Sequence, residues 1–327
     1  MSFLQVSTPT SAYSDPTTTS PKAPSLAYTR GQFFAGFWGL EEVIEAYKKW
    51  VADDRFLLFK KLIYEREELR QLWIVVKASK RGNDVYFRRV FKRFAPILKM
   101  PDVKFFNPKE RGIKKTRLLF VTLTWDIKID SLSDAWSKIG EDFNRYMAGL
   151  RKKFGRISYI RVWESFESGY PHIHLLVYFH DSEFRVFLHK GKFRILQKQE
   201  FENWHSFVDV QGLPSLHIGL RYVLKYLTKG YLGDPKGILT FSLCWLFRKQ
   251  SFAVSQRFTD DLILVSVIKT RARRNLVQLT LFGGVSSSYR VEILFVGVFR
   301  RSDLGISESN QSIRLVFRKC PLRIALA

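Results

Sequence analysis

The distribution of apolar and polar positions along the chain predicts a mixture of strands and helices. Strands are expected where apolar and polar residues alternate, and helices where apolar residues recur every three to four positions. This order predicts an α+β fold, with a central antiparallel sheet, flanking helices and basic extensions at both ends. The predicted strands are 72–76, 118–126, 157–163, 171–179, 206–210, 261–270, 275–282, 290–299 and 312–318, and the predicted helices lie within 27–70 and at 131–154, 193–204, 220–230 and 239–256.

Changes in composition divide the chain into four regions. Residues 1–26 are rich in Ser, Thr and Pro and are predicted to be a disordered tail. Residues 27–117 are predicted to be a basic, mainly helical accessory region, and residues 118–235 the domain built on the central sheet. Residues 236–327 are predicted to be a C-terminal α/β accessory region.

The charge of the chain predicts a polyanionic partner. Its 327 residues include 54 Lys and Arg against 30 Asp and Glu, which gives a formal net charge of +24. Hydrophobic residues make up 46% of the sequence, which is enough for a folded core. Nucleic acid is preferred over a membrane surface as the partner because no basic amphipathic helix dominates the sequence. The alternative is a basic surface without a binding role.

Further sequence features favour an intracellular, cytoplasmic protein. Cys244 and Cys320 are far apart and lack a metal-binding spacing, which fits a reducing compartment. Apolar runs do not approach the ~18 residues of a transmembrane helix, and the N-terminus lacks the pattern of a signal peptide. The sequence contains no Gly-x-x-x-x-Gly-Lys-[Ser/Thr] phosphate-binding loop, so an attached ATP-driven helicase is not expected.

Residues 85–117 form the most basic stretch, and their phenylalanines have two interpretations. Cations interleaved with aromatic rings suit a nucleic-acid single strand whose bases stack on the rings. Alternatively, the rings are the core face of an amphipathic helix. The sequence leaves the two interpretations equal. The phenylalanines concerned are Phe87, Phe91, Phe94, Phe105 and Phe106.

Two histidines in the strand 171–179 form a candidate metal site. His172 and His174 share one face of this strand because successive side chains alternate between faces. An antiparallel hairpin that turns near Ser168 places Glu164 opposite His172, so the carboxylate points at both imidazoles. This set suits one divalent cation with open coordination positions. The alternative is a solvent-facing glutamate beside two hydrogen-bonded histidines.

The helix predicted at 220–230 has a face of phenols and ammonium groups. Tyr222, Lys225, Tyr226 and Lys229 stand at positions i, i+3, i+4 and i+7, which form one continuous face. The ammonium groups are expected to stabilise the phenolate forms and so to favour nucleophilic attack. The alternative is that the two tyrosines cap a core while the lysines extend to solvent.

Three segments resemble, in this order, the motifs of the HUH endonucleases, and specifically of rolling-circle replication initiators. Residues 120–125 resemble the first motif, and residues 170–175, with both histidines, resemble the metal-binding second motif. Residues 222–229 resemble the third motif, in the two-tyrosine form that microvirus initiators and some plasmid initiators share. Glu164 stands where that group often supplies its third metal ligand. The resemblance covers about 118–231, and the chain lacks the helicase domain of the larger viral members.

The resemblance implies that the domain nicks and rejoins DNA. Mg²⁺ or Mn²⁺ held by His172, His174 and Glu164 would polarise the scissile phosphate. Attack by a tyrosine would leave a 5′-phosphotyrosine link and a free 3′-hydroxyl that primes synthesis. The implied partners are single-stranded or unwound origin DNA with flanking duplex, and host replication proteins that include a helicase supplied in trans. The implied location is the cytoplasm of a host cell that carries a plasmid or virus, with no membrane partner.

Two questions stay open from the sequence. Tyr222 is the first candidate for the nucleophile because it precedes Lys225 in a Tyr-x-x-Lys arrangement, but Tyr226 bears the same relation to Lys229 and both could be used in turn. The function also has rivals, namely a two-tyrosine transposase and a non-catalytic protein that binds single-stranded nucleic acid. A plasmid-transfer relaxase is disfavoured because its nucleophile typically precedes the histidines.

Overall fold

The computed structural model of the chain describes residues 23–65, 68–99, 101–255, 258 and 289–300. The fold is α+β, as predicted. The helices are α1 (Leu26–Phe34), α2 (Leu40–Ala52), α3 (Asp84–Leu98), α4 (Leu132–Phe154), α5 (Leu216–Thr228) and α6 (Pro235–Leu246). The strands are β1 (Arg55–Glu65), β2 (Glu68–Lys77), β3 (Lys114–Thr116), β4 (Leu118–Thr124), β5 (Ile157–Ser165), β6 (Pro171–Phe179), β7 (Phe184–His189), β8 (Lys192–Ile195), β9 (Val208–Gly212), β10 (Phe252–Val254) and β11 (Tyr289–Arg300).

Several predicted elements fall outside the described ranges. These are the tail up to residue 22 and the predicted strands 261–270, 275–282 and 312–318. Within the described ranges, no helix combines the length and the apolar character that crossing a membrane requires.

One compact unit contains a three-stranded antiparallel sheet in the order β11-β1-β2. The expectation of helix throughout 27–70 is therefore wrong from Arg55 onward. β1 pairs along nearly its whole length with β2 on one side and β11 on the other, which satisfies its backbone hydrogen bonds in strand form. The predicted strand at 290–299 is confirmed as β11, but its partner lies more than two hundred residues away and has no local signal.

The second compact unit contains an eight-stranded antiparallel sheet in the order β10-β5-β6-β4-β9-β8-β7-β3. The strands predicted at 118–126, 157–163 and 171–179 are confirmed as β4, β5 and β6, and they lie side by side in the sheet. β6 is paired on both edges, to β5 and to β4. The histidine-bearing strand therefore has fixed neighbours on each side.

Alternate residues of β6 pack into two different cores. Leu175 and Val177 contribute to a core with the buried face of α4, whereas Leu176 contributes to a core with α5 and α3 on the opposite face of the sheet. The helix predicted at 131–154 is confirmed as α4, which Ser131 caps by accepting a hydrogen bond from the Asp134 N–H at 3.1 Å. Alternation thus sends the even-numbered positions of β6, including both histidines, to the α5 side.

The helix predicted at 193–204 is wrong. The segment instead completes the hairpin β7–β8, and only Lys198–Phe201 makes a short 3-10 turn. Lys190 and Gly191 adopt positive φ angles of 47° and 74°, which close the hairpin with a tight turn. The helix predicted at 239–256 ends at Leu246, and β10 follows it.

The phenylalanines of the basic stretch belong mainly to the core. Phe87 and Phe94 on α3 are 2% and 0% exposed. Phe91 and Phe105 are partly buried against the core beside α5, and Phe106 packs edge-to-face on Phe193. Of the two interpretations of this stretch, the amphipathic helix is the one that the structure supports, and base stacking on Phe87 or Phe94 is excluded by their burial.

The four-region division of the chain stays a prediction, but two of its boundaries run through packed elements. Residues 23–51 belong to the same compact unit as the eight-stranded sheet. Leu243 and Leu246 of α6 lie in the core shared with α4, and β10 pairs with β5. Elements on both sides of the predicted central domain therefore complete its core.

Candidate active site

The β5–β6 hairpin has the register that the sequence predicts. Glu164 pairs with His172 and Val162 pairs with His174 across the two strands. The turn is held by the Trp136 indole N–H, which donates to the Gly169 carbonyl at 2.8 Å. Gly169 has a φ of +86°, which a residue with a side chain rarely adopts. The turn that sets the positions of the candidate ligands is therefore fixed by a buried side chain of α4.

Glu164, His172 and His174 lie together on the α5 side of the sheet. The His174 Nε2–H donates to Glu164 Oε2 at 2.7 Å, and the two histidine rings have centroids 4.6 Å apart. In this tautomer His174 Nδ1 accepts from the Thr122 hydroxyl at 3.2 Å. His172 Nε2 is buried and has no hydrogen-bond partner among the described residues. The predicted proximity of these three groups is confirmed, and their role as metal ligands stays a prediction.

The local electrostatics keep both imidazoles neutral and the carboxylate ionised. Burial, reinforced by His174, lowers the pKa of His172 to about 3. Burial also lowers the pKa of His174, against the opposing effect of Glu164. Burial alone would raise the pKa of Glu164, but hydrogen bonds from His174 and Lys229 outweigh it and lower this pKa to about 2. Neutral imidazoles and an ionised carboxylate are the forms that bind a metal ion.

Lys229, at the C-terminal end of α5, occupies the remaining side of this cluster. Its Nζ donates to Glu164 Oε1 at 2.5 Å, and both side chains are largely buried. α6 holds this end of α5 in place, because a Cβ at Gly237 would lie 2.2 Å from the Gly230 nitrogen. The Asp234 N–H also donates to the Lys229 carbonyl at 3.1 Å. Lys229 is thereby positioned on the carboxylate, whereas Lys225 is exposed to solvent.

Tyr226 is the tyrosine nearest to the candidate ligands. Its ring stacks on His174 with centroids 3.8 Å apart and planes 18° from parallel, and Lys229 Nζ lies 4.8 Å from the ring centroid. Tyr222, one turn earlier on α5, is 45% exposed and packs on Phe120. The spacing of the four-residue face is confirmed, but only its second half reaches the histidines.

The expected stabilisation of the phenolate is wrong for Tyr226. Burial, followed by the negative charge of Glu164, raises the pKa of Tyr226 to about 12. Lys229, the nearest ammonium group, is already paired with Glu164 and does not reverse this effect. Tyr226 is therefore a neutral phenol in the metal-free protein.

Phe120 and Thr122 complete the site and were not singled out as site residues from the sequence. Phe120 contacts the rings of His174, Tyr222 and Tyr226, with centroids 5.4 to 6.4 Å away. Thr122 pairs with His174 across β4 and β6. The signal that would have found them is parity, because residues 120, 122 and 124 share the face of β4 that the histidines share on β6.

The donor set fits a divalent cation, although its present arrangement is that of an ion-paired cluster. In the part of the chain that the structure describes, no three His, Cys, Asp or Glu side chains stand in a ready metal-binding arrangement. The reason is visible in the contacts, since Glu164 is bonded to both Lys229 and His174. The unpartnered Nε2 of His172 favours a ligand, because a buried nitrogen without a partner costs about 1–3 kcal/mol.

Residues 118–231 match the family model of the replication-associated protein ORF2. The match runs from the start of β4 to just beyond α5, and so includes all three segments of the resemblance and every site residue described above. No curated protein and no solved structure matches the chain. The match supports a replication initiator of the Rep type, and with it a role in DNA replication and binding to DNA.

Proposed function

We propose that the protein initiates rolling-circle replication by nicking and rejoining origin DNA through a tyrosine. The observation that carries the proposal is the stacking of Tyr226 on His174, within a cluster that also holds His172 and Glu164. A nucleophile next to two neutral imidazoles and a carboxylate is suited to metal-assisted phosphoryl transfer. The family match at residues 118–231 supports the replication role of this chemistry.

In the proposed reaction His172, His174 and Glu164 hold Mg²⁺ or Mn²⁺. The bound cation supplies charge neutralisation at the scissile phosphate. The tyrosine oxygen forms a bond to phosphorus while the bond from phosphorus to the 3′-oxygen breaks. The 5′ end becomes linked to the tyrosine, and the 3′-oxygen takes up a proton to leave a hydroxyl primer. One ester replaces another, so no ATP is consumed, and the reverse reaction rejoins the strand.

The geometry favours Tyr226 over Tyr222 for the first attack. Tyr226 lies against His174 and its hydroxyl senses the charge of Glu164, whereas Tyr222 is one helical turn away at the surface. Phe120 contacts both rings, so both tyrosines lie along one path across the sheet. Tyr222 is therefore proposed to receive the strand in the second transfer.

Lys229 is proposed to leave Glu164 when the cation binds. The cation and the ammonium group compete for the same carboxylate, because Lys229 Nζ lies 2.5 Å from Glu164 Oε1. Once released, Lys229 remains beside Tyr226, where its charge opposes the build-up of negative charge on the attacked phosphate. A carboxylate already neutralised by the cation would also cease to raise the pKa of Tyr226.

Replacing Lys229 by methionine should tighten cation binding in the DNA-free protein. The substitution removes the competitor for Glu164 and a like charge near the cation, and both effects have the same sign. We expect Mn²⁺ to bind about tenfold more tightly, equivalent to about 1.4 kcal/mol. Isothermal titration of Mn²⁺ into both proteins measures this change.

Lys225→Met is the matched control for this titration. It removes the same charge from the same helix, but Lys225 is exposed and its side chain lies outside the cluster. The Mn²⁺ affinity of this variant should stay within about twofold of the original. Equal affinities for the Lys229 and Lys225 variants would show that Lys229 does not compete with the cation.

The experiment that tests the proposed function is a search for a covalent adduct. Labelled single-stranded oligonucleotides that tile the replicon encoding the protein are incubated with Mg²⁺ or Mn²⁺ and resolved on a denaturing gel. One oligonucleotide should give a band of protein linked to DNA, and EDTA should reduce its yield at least about a hundredfold. Added Mn²⁺ should restore it. An adduct that persists in EDTA would contradict the proposed chemistry.

The same gel separates the proposed function from its rivals. Cleavage at a replication origin supports an initiator, whereas cleavage at the ends of a mobile element indicates a transposase. Binding without an adduct at any position indicates a non-catalytic protein. The proposed partners beyond the nicked strand are flanking duplex DNA and a host helicase supplied in trans, since the sequence has no phosphate-binding loop of its own.

A further inference from the structure

A cavity of about 670 Å³ adjoins the candidate active site. Phe166 lines it and also packs edge-to-face on His172, with ring centroids 4.8 Å apart. Thr124, a second lining residue, pairs with His172 across β4 and β6. A phosphate held near His172 would therefore have a neighbouring nucleotide at the mouth of this cavity. Its volume lies in the range of small-molecule sites, about 300–1,000 Å³.

The walls of the cavity combine an aromatic ring, an ammonium group and two carboxylates. Lys236 Nζ lies 6.0 Å from the Phe166 ring centroid. Asp126 and Glu167 line the same cavity. Trp125 also lines it, and the Trp125 indole N–H is buried without a hydrogen-bond partner among the described residues. The cavity thus offers a stacking surface, a cation and hydrogen-bonding groups of both kinds.

The two carboxylates indicate which part of a nucleotide enters. Carboxylates repel a phosphate, so a cavity that contains Asp126 and Glu167 is poorly suited to the DNA backbone. They accept hydrogen bonds from an exocyclic amino group, as acidic side chains do from cytosine N4. Adenine, cytosine and guanine each carry such a group. Thymine has none and would direct carbonyl oxygens at the carboxylates.

We propose that this cavity binds the unstacked base next to the scissile phosphate and prefers a base with an exocyclic amino group over thymine. The proposal rests on the proposed function, because the neighbouring phosphate is the one that the tyrosine attacks. Phe166 stacks on the base, Asp126 and Glu167 accept from its amino group, and Lys236 meets the phosphate at the mouth. The cavity thereby contributes to the choice of the nicked position.

Binding to homopolymers tests the preference without cleavage. Fluorescence anisotropy with labelled twelve-nucleotide oligo(dC), oligo(dA) and oligo(dT) is measured in EDTA at one low salt concentration. Oligo(dC) and oligo(dA) should bind about three- to tenfold more tightly than oligo(dT). The double variant Asp126→Asn, Glu167→Gln should lose this preference and keep its affinity for oligo(dT), which also shows that it is folded. Phe166→Leu should weaken binding of all three, because stacking is lost.

Glu141→Gln is the matched charge control. Glu141 is on the surface of α4, its side chain is 83% exposed, and it does not line the cavity. This variant should keep the full preference. Equal binding of all three homopolymers by the unmodified protein, or an unchanged preference in the double variant, would overturn the cavity assignment. The adduct assay reports separately on the proposed function, so adduct formation without a base preference would reject the cavity alone.

Discussion

Tyr226→Phe should reduce the yield of the covalent protein–DNA adduct at least about a thousandfold. Loss of a nucleophile removes the bond-forming atom itself, which is among the largest effects a substitution can have on an enzyme. Phenylalanine keeps the ring that stacks on His174, so the fold of the site should be preserved. The measurement is the adduct band on a denaturing gel, with the oligonucleotide that the unmodified protein cleaves and with Mn²⁺ present.

Tyr222→Phe separates the two tyrosines in the same assay. We expect the first adduct to form at close to its original rate, because Tyr222 is exposed and lies one turn away from the cluster. The second transfer, measured as joining of a fresh strand to the bound 5′ end, should be lost. A full adduct in the Tyr226 variant and none in the Tyr222 variant would restore the order suggested by the Tyr-x-x-Lys pattern.

Tyr231→Phe serves as the control for both substitutions. Tyr231 lies just beyond α5, is 51% exposed and packs on Phe87 rather than on the candidate ligands. Its replacement should leave the adduct yield unchanged. If neither single variant loses the adduct, the double variant Tyr222→Phe, Tyr226→Phe decides whether a tyrosine of this helix is used at all.

The paired strands of the site could be predicted from the sequence because their information is local. One turn at Ser168 and Gly169, together with alternation, is enough to place Glu164 opposite His172, and the observed register is the predicted one. The two segments are adjacent in the chain, so a short loop leaves few possible registers. The cap at Ser131 predicted the start of α4 for the same local reason.

Contacts between distant segments could not be predicted in this way. The ion pair of Lys229 with Glu164 depends on how α5 packs across the sheet and on the approach of α6 at Gly237. Helical spacing places Tyr222 and Tyr226 on one face but does not tell which end of that face reaches His174. The expectation of a stabilised phenolate was wrong because it counted the lysines and omitted the buried carboxylate.

Ambiguous periodicity accounts for the wrong secondary structure. Residues 193–204 are basic and rich in aromatic side chains, which are compatible with an amphipathic helix or with a strand. The choice is made by the turn at Lys190 and Gly191 and by pairing of β8 with β7, neither of which the pattern contains. β1 shows the same effect more strongly, because β11 is its long-range partner.

His172→Leu should abolish cation binding while leaving the metal-free protein at least as stable. The buried Nε2 of His172 has no hydrogen-bond partner among the described residues, so removing it loses no such bond. Leucine can occupy the apolar surroundings of the ring, including the contact with Phe166. We expect Mn²⁺ affinity to fall by more than the about 10–100-fold that loss of an outer hydrogen bond costs. The Tm in EDTA should stay equal or rise.

His174→Leu should behave differently, which separates a ligand from a structural histidine. His174 bonds to Glu164 and to Thr122, so its loss leaves two partly buried groups without their partner and should lower the Tm in EDTA as well as Mn²⁺ affinity. His189→Leu, at an exposed histidine of β7, should change neither cation affinity nor adduct yield. If His172→Leu binds Mn²⁺ as the original protein does, His172 is not a ligand. A large drop in Tm for that variant would instead indicate that His172 serves the fold, because an unpartnered nitrogen has no stabilising bond to lose.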